Sequence, residues 1–131
     1  MLFRSDTHIW IWSVLEPKRL SQLVKRELTS SANQLWLSSV SIWELLLLHR
    51  KRRIELNEDV ITWVGKTLGM LRLNEAPLTI EVAIETAAVK LSHGDPADRF
   101  LVASAKVFGL TLITSDERLI RVPGIRVMAN R

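Results

Sequence analysis

Short apolar runs alternate along this chain with longer segments in which apolar residues recur every three or four positions. The short runs predict strands at residues 2–5, 35–38, 110–114 and 125–128, and an extended piece at 77–79. The longer segments have the spacing of amphipathic helices, which places their apolar residues on one face. They predict helices at residues 7–15, 17–28, 42–48, 60–71, 82–91 and 96–107, and a short turn or helix at 117–120.

The boundaries of these helices are marked by residues with known capping preferences. Asp95 and Pro96 give the clearest start, because Asp is a favoured N-cap and Pro is a favoured first helical residue. Gly109 is the expected end of the same helix, and Pro17 marks another predicted start. Two helices have alternative starting residues, Ser39 or Ser41 for the third helix and Asn57 or Glu58 for the fourth.

Strands that alternate with helices predict an α/β domain, with a mainly parallel central sheet and helices on both faces. The length of 131 residues and the apolar content of 47% fit a single domain, residues 1–131, with one sizeable core. In such sheets, ligands bind at the carboxyl ends of the strands, near the point where the strand order reverses. Candidate functional residues are therefore expected just after the strands.

Composition excludes several classes of protein. The absence of Cys excludes a disulfide framework, a thiolate metal site and a Cys nucleophile. No unbroken apolar run is longer than residues 45–48, far short of the roughly 20 that a membrane helix needs, and the N-terminus lacks a signal-peptide pattern. We therefore expect a soluble cytoplasmic protein. The net charge of +4 permits an anionic partner such as nucleic acid without identifying one.

Three carboxylates are expected at the carboxyl edge of the predicted sheet. Asp6 follows the first strand, Asp116 follows the strand at 110–114, and Asp98 lies in the first turn of the helix that starts at Asp95. Each has a simple structural alternative, because Asp6 and Asp116 stand where N-caps stand and Asp98 stands where a capping box places its acid. Taken singly, each is explained at least as well by capping as by chemistry.

Glu44 is harder to explain as an ordinary surface residue. Its helix is apolar on most sides, so the carboxylate is expected to be at least partly buried. An ionised, isolated carboxylate in such a place is costly. The structural alternatives are a salt bridge to a distant Lys or Arg, or a slot at the helix edge that reaches water. The functional alternative, slightly favoured, is a metal ligand.

The four acids taken together indicate more than each does alone. Carboxylates gathered at one sheet edge repel one another unless a cation neutralises them. Oxygen-only ligands select a hard ion, Mg²⁺ or Mn²⁺, rather than zinc. Such an ion suits phosphoryl chemistry, because it stabilises charge on the phosphate and activates a water.

The segments that carry these acids occur in the order Asp6-Thr7-His8, Ser41-Ile42-Trp43-Glu44, Asp95-Pro96-Ala97-Asp98-Arg99 and Thr114-Ser115-Asp116. In order and spacing they resemble the PIN domain and, more narrowly, the VapC-type ribonuclease toxins of bacterial toxin–antitoxin modules. The resemblance extends from the first strand to residues 125–127.

The resemblance implies a ribonuclease that depends on Mg²⁺ or Mn²⁺. It implies that the metal, which activates water for attack on an RNA phosphodiester, is held by Asp6, Glu44, Asp98 and Asp116. It further implies a cognate antitoxin, whose C-terminal segment occupies the groove, and a homodimer.

Two threonines and two residues of the first strand also bear on the site. Thr7 and Thr114 each stand beside a member of the acidic quartet and are expected to orient the ligands through hydroxyl hydrogen bonds. Arg4 and Ser5 interrupt a strand that is usually apolar in the family, which leaves open how far this strand is buried.

Other charged residues keep two interpretations. Asp95 belongs either to the outer shell of the metal or to an N-cap paired with Arg99 four residues on. Arg99 holds either an RNA phosphate or Asp95. The basic end of the third predicted helix is either solvated or a phosphate-binding patch, and its candidate residues are Arg50, Arg52 and Arg53.

The histidines and tryptophans are expected to be mainly structural. His8 is assigned to capping or packing rather than to general-base chemistry, since metal-dependent hydrolysis needs no His. His49 and His93 lack a metal-ligand spacing. The five Trp are predicted to be core or interface anchors, and Trp10 and Trp12 cannot share one helix face.

Two functions of different classes compete for this chain. The first is a metal-dependent endoribonuclease acting as a toxin. The second is a non-catalytic α/β module that binds RNA or protein through its basic and Trp-bearing surface. A phospho-accepting receiver domain is disfavoured, because no adjacent acidic pair follows the first strand and no Lys follows the strand at 110–114.

Overall fold

A computed structural model describes residues 1–91 and 94–131, and the strands in this part of the chain form one parallel sheet. The sheet order is β3-β2-β1-β4-β5, and every neighbouring pair is parallel. The predicted α/β class is confirmed. The strands are β1 (Leu2–Ser5), β2 (Gln34–Ser38), β3 (Asn74–Ala76), β4 (Thr111–Thr114) and β5 (Val127–Ala129).

Helices connect the strands. They are α1 (Thr7–Leu15), α2 (Gln22–Thr29), α3 (Ser39–Arg50), α4 (Val60–Met70), α5 (Ile80–Glu85), α6 (Pro96–Phe108) and α7 (Glu117–Ile120). The chain starts at the central strand, fills one half of the sheet, and then returns to fill the other half. The strand order therefore reverses between β1 and β4, and ligands are expected at the carboxyl ends of these two strands.

The core lies on both faces of the sheet. On one face, Phe3 and Ile113 pack with Ile9 of α1 and Val24 of α2. On the other face, Leu112 packs among residues of α5 and α6. Burial of side chains this size contributes roughly 1.5–3 kcal/mol each, so the two layers hold the central strands from both sides.

The clearest predicted helix is confirmed. The Asp95 carboxylate accepts a hydrogen bond from the amide of Ala97, Pro96 is the first residue of α6, and Gly109 ends it in the left-handed conformation, with φ of 65°. These signals are local to the helix, so they were readable without the tertiary structure.

The predicted starts of three other helices were wrong. Pro17 begins a separate 3₁₀ turn, and α2 starts later with Ser21 as its N-cap. The N-cap of α3 is Ser38, neither Ser39 nor Ser41, because the strand runs directly into the helix. The N-cap of α4 is neither Asn57 nor Glu58 but Asp59, whose carboxylate accepts from two backbone amides.

Strand and helix limits also differ where pairing, rather than local sequence, sets them. The extended piece at 77–79 was misplaced, because the segment that pairs with β2 is Asn74–Ala76. The last strand pairs with β4 through Val127–Ala129, two residues later than predicted at its start. The helix predicted at 82–91 starts earlier, at Ile80, and ends at Glu85, where a 3₁₀ turn follows.

None of the described helices is long and apolar enough to cross a membrane.

Candidate active site

The carboxyl edge of the sheet opens into an acidic cavity of about 300 Å³. Asp6 enters it from the junction of β1 and α1, and Asp116 from the junction of β4 and α7. Glu44 comes from α3, and Asp98 from the first turn of α6, with Asp95 beside it. The structure thus places on one cavity wall all four carboxylates singled out by the sequence.

Asp6 is a buried carboxylate with two structural partners. One oxygen, Oδ1, accepts from the amide of Ile9 at 2.8 Å and caps α1. The other, Oδ2, accepts from the hydroxyl of Thr114 on β4. Burial raises the pKa of Asp6, against the lowering effect of these hydrogen bonds. The Asp6 side chain therefore both caps α1 and lines the cavity.

Glu44 is half-buried, which confirms the expectation from its apolar helix. Its Oε1 accepts from the Thr7 hydroxyl at 2.6 Å, and that hydroxyl also lies 2.9 Å from the Ser41 hydroxyl. Burial raises the pKa of Glu44, and the charges of Asp98 and Asp95 raise it further. Within residues 1–91 and 94–131, no Lys or Arg forms an ion pair with Glu44, so the predicted salt-bridge alternative is not found there.

Asp98 and Asp116 complete the quartet in different environments. Asp98 is only 7% exposed and is the third residue of α6. Asp116 is partly exposed and caps α7 by accepting from the amide of Arg118 at 2.9 Å. The Arg118 guanidinium also donates to both carboxylate oxygens of Asp116, from Nε at 3.2 Å and from Nη2 at 3.0 Å, which raises the pKa of Arg118.

The donor chemistry of this cavity fits a hard divalent cation, because carboxylate oxygens from four chain segments face it. In their present arrangement, however, no three Asp, Glu, His or Cys side chains among the described residues stand where one ion could be held. Instead, Asp6 is engaged by Thr114, Glu44 by Thr7, and Asp116 by Arg118. The four acids line one cavity, but their side chains are not arranged as ligands of one ion.

Arg4 lies in the interior close to these acids. It is 0% exposed, and its guanidinium nitrogens have no hydrogen-bond partner among the described residues. Burial lowers the pKa of Arg4 to about 10, while the nearby charges of Asp6 and Glu44 act in the opposite direction. Ser5 is buried as well, and β1 pairs with strands on both sides. The polar interruption therefore does not prevent the first strand from forming.

The predicted hydroxyl contacts are present. Thr114 donates to Asp6 and accepts from the amide of Asp116 at 3.1 Å, so it touches two members of the quartet. Thr7 donates to Glu44. Both threonines are buried, so their hydroxyls have few alternative orientations.

Arg99 takes a partner that the sequence did not indicate. Its Nη1 donates to the carbonyl of Val89 at 2.9 Å, and among the described residues it forms no ion pair with Asp95. Arg99 does not line the acidic cavity, whereas Asp95 does. The N-cap interpretation of Asp95 is confirmed, but its pairing with Arg99 is not.

The basic run that begins at the last residue of α3 is exposed. Arg50, Arg52 and Arg53 are all exposed, in keeping with a solvated helix end. Arg53 also lines a second cavity of about 560 Å³ next to α1. His8 and Trp12 line both this cavity and the acidic one, so the two openings are adjacent.

Two residues gained importance only in the structure. Arg118 lines the acidic cavity, and its signal in the sequence was only an Arg two positions after Asp116, which is common on surfaces. The ring of His8 lies 5.7 Å from that of Trp12, in agreement with packing, but His8 also lines the acidic cavity. His93 lies outside the described residues.

The tryptophans divide between core and surface. Trp10 and Trp63 are buried against each other, with ring centroids 5.4 Å apart, as predicted for core anchors. Trp43 is 56% exposed on α3, where neither base stacking nor an interface is indicated by a described contact.

These features define a class of protein, a parallel α/β domain whose strand order reverses at an acidic cavity suited to divalent cations. The PIN domain family model matches residues 5–125, and the chain belongs to this family. The resemblance predicted from the four segments is confirmed.

Similar proteins of known name or structure agree with the assignment to the PIN domain family. The chain is 34% identical over 115 residues to Ribonuclease VapC22 of Mycobacterium tuberculosis, covering 87% of this chain and 86% of that protein. Its fold is similar to VapBC2 from Rickettsia felis bound to a promoter DNA fragment, with a TM-score of 0.76, 18% identity and 98% of each chain covered. It is also similar to DNA-bound VapBC from Salmonella typhimurium, with a TM-score of 0.70, 21% identity and all of each chain covered.

Proposed function

We propose that residues 1–131 act as one domain, a divalent-metal-dependent endoribonuclease that is the toxin of a toxin–antitoxin pair. The observation that carries this proposal is the cavity at the carboxyl ends of β1 and β4, which four carboxylates from separate chain segments line. The ribonuclease named among its relatives, at 34% identity, supports an RNA substrate.

The proposed metal ligands are the four cavity acids. Asp6, Glu44, Asp98 and Asp116 would hold Mg²⁺ or Mn²⁺, since oxygen donors suit these ions. Such an ion, when bound, would supply stabilisation of negative charge on the phosphate and a more acidic water as nucleophile.

The remaining groups of the site position these ligands and the substrate. Thr114 holds Asp6, and Thr7 holds Glu44, so each hydroxyl limits the directions its carboxylate can take. Arg118 stands at the cavity wall with a planar fork of donors that matches two phosphate oxygens. We assign Arg118 to the binding of an RNA phosphate, in exchange for its present contact with Asp116.

The basic end of α3 would extend the contact with RNA. Arg53 lines the cavity adjacent to the acidic one, and Arg50 and Arg52 are exposed nearby on the chain. Contacts between such side chains and phosphates position a nucleic acid without reading its sequence. Arg99 is the weakest candidate, because its guanidinium is already bound to a backbone carbonyl.

The proposed protein partners are a cognate antitoxin and a second copy of this chain. The similar VapBC structures include an antitoxin with the toxin. The chain also exposes large apolar side chains that a partner could cover, among them Ile80 and Ile84 on α5 and Trp43 on α3. Action on cellular RNA would place the activity in the cytoplasm.

The proposal is tested by incubating a generic single-stranded RNA with the purified protein and Mn²⁺ or Mg²⁺. We expect cleavage that EDTA abolishes and that Asp98→Asn loses. The matched control is Asp59→Asn, which makes the same chemical change at an exposed N-cap outside the cavity. Equal cleavage by wild type and Asp98→Asn would contradict the assignment. RNA binding without cleavage at any cation concentration would favour the non-catalytic module instead.

A further inference from the structure

Arg4 occupies the centre of the fold. It lies on β1, the middle strand, and its register partners are Trp36 on β2 and Leu112 on β4. Because side chains alternate along a strand, Arg4 points to the opposite face from Phe3 and to the same face as Leu112. That face is covered by α6, the helix that carries Asp98.

A guanidinium in this place is expensive. It has five N–H donors, and its nitrogens have no hydrogen-bond acceptor among the described residues. Its side chain is fully buried from bulk solvent. A guanidinium is protonated at neutral pH, so this buried side chain carries a full charge. A buried and unpaired charge strongly destabilises a protein unless nearby charges compensate for it.

The compensation available in this fold is the acidic cavity. Asp6 follows Arg4 by two residues, and its amide continues the pairing with β4, so the two side chains leave the chain on the same side. The helix that covers this side, α6, carries Asp98, and the charges of Asp6 and Glu44 favour the protonated form of Arg4. Neither Asp6 nor Glu44 forms an ion pair with a Lys or Arg among the described residues. The buried cation and the cavity acids therefore lie in one region of low dielectric, where opposite charges attract more strongly than in water.

We infer that Arg4 is a built-in counter-cation of the acidic cavity, which takes over part of the charge that a divalent ion would otherwise supply. This inference rests on the proposed function, in which the acids bind such an ion. Arg4 acts through the carboxylates and is a positioning residue, since it reaches neither the cavity surface nor the substrate. The positive charge of Arg4 stabilises the ionised carboxylates when no metal ion is bound. The same charge repels a divalent cation that enters the cavity. The chain should consequently bind divalent cations more weakly than the same cavity with an apolar residue beneath it.

The test measures the affinity for Mn²⁺ alone by isothermal titration calorimetry, without RNA. Arg4→Met keeps much of the length of the side chain, and Arg4→Leu has a different shape, so a result that both share reports the charge and not the packing. We expect both to bind Mn²⁺ at least about tenfold more tightly than wild type. The control, Arg26→Met, removes one charge from an exposed position on α2, and we expect its affinity to equal that of wild type.

A second measurement uses the wild-type protein and therefore does not depend on how the variants fold. The Nε–H resonance of Arg4 should shift as the protein is titrated with Mg²⁺ and should stop shifting at saturation. Where the Arg4 variants fold, tighter Mn²⁺ binding by both supports the inference, and equal or weaker binding overturns it. Where they do not fold, the wild-type resonance decides: a saturable shift supports the inference, and a resonance that does not move while Mg²⁺ binds overturns it. If neither wild type nor the variants bind Mn²⁺, the proposed function itself is contradicted.

Discussion

Among the described residues, four helices begin with an aspartate that accepts a backbone hydrogen bond, and three of these aspartates line the acidic cavity while the fourth, Asp59, does not. Asp6 caps α1 at the carboxyl edge of the sheet, where it is buried and lines the acidic cavity. Asp59 caps α4, is exposed, and does not line the acidic cavity. The two side chains have the same local chemistry, so capping does not distinguish them.

The difference lies in what precedes each aspartate. Asp6 follows β1 and Asp116 follows β4, and these strands are parallel neighbours at the point where the strand order reverses. Their helix starts therefore meet, whereas α4 follows a loop after α3 and starts alone. An N-cap aspartate is thus a candidate for chemistry when a parallel strand delivers it to the switch point.

The largest expected effect comes from making the same substitution in the two regions. Asp6→Asn should reduce RNA cleavage on the order of a hundredfold or more, since losing a metal ligand should exceed the 10- to 100-fold loss typical of a residue that only supports one. Asp59→Asn should leave cleavage within about twofold of wild type. Asn caps helices nearly as well as Asp, so both variants should fold. Initial rates with labelled RNA and excess Mn²⁺ measure both.

This comparison fails if the two variants behave alike. Similar rates for Asp6→Asn and Asp59→Asn, with circular dichroism showing both proteins folded, would mean that the cavity does not set Asp6 apart.

A smaller effect is expected from the threonines that hold the acids. Thr114→Val and Thr7→Val remove hydroxyls that donate to Asp6 and Glu44. Each should weaken Mn²⁺ binding or cleavage by roughly 10- to 100-fold. The matched control is Thr67→Val, which also removes a buried hydroxyl, one that donates to a backbone carbonyl of α4. A loss in the control as large as in Thr114→Val would show that the effect is one of stability.

The pH dependence of stability should report the burial of two cavity acids, Asp6 and Glu44. Burial raises the folded-state pKa of Asp6 and Glu44 above their ordinary values of 3.8 and 4.5. The native state then binds more protons than the unfolded state, so their contribution to stability is full below those values and is lost as pH rises through the folded-state pKa. The two acids therefore favour the folded state most when they are protonated.

Urea unfolding in EDTA at a series of pH values measures this contribution. Asp6→Asn should flatten the fall in the free energy of unfolding above about pH 4. With saturating Mn²⁺ the fall should be offset, because the ion binds the ionised carboxylates. The same pH dependence of the free energy of unfolding in wild type and Asp6→Asn, both in EDTA, would contradict a raised pKa for Asp6.

The smallest effect is expected at the basic end of α3. Arg50→Gln and Arg52→Gln should each weaken RNA binding modestly, and each should lower the slope of log affinity against log salt by about 0.7 if it contacts a single-stranded phosphate. Arg26→Gln on α2 is the control. If the slope of log affinity against log salt is unchanged in the Arg50 and Arg52 variants, these residues do not contact RNA phosphates and are simply solvated.

The parts of the fold that were predictable depend on local signals. Asp95, Pro96 and Gly109 identify α6 completely, because the cap, the first residue and the end all lie in or next to the helix. The Asn74–Ala76 strand was missed because its position depends on pairing with β2, which lies far away in the chain. Ser38 was missed as a cap because it also ends a strand.

The site divides in the same way. The four acids could be predicted because each follows a strand or stands on a recognisable helix, and the α/β class says where such residues meet. From the sequence, Arg4 was identified only as an interruption of β1. Its burial could not be predicted, because it depends on acids that the fold brings close to it. Arg118 gave no signal, because its importance comes from facing Asp116 in the cavity.

The central claim is that carboxylates from four chain segments form one cation site. Anomalous diffraction from crystals grown with Mn²⁺ tests it most directly. We expect a peak in the acidic cavity, in contact with carboxylate oxygens contributed by the quartet of Asp6, Glu44, Asp98 and Asp116. An anomalous map with no peak in this cavity at saturating Mn²⁺, or with its peaks only at other carboxylates, would contradict the claim.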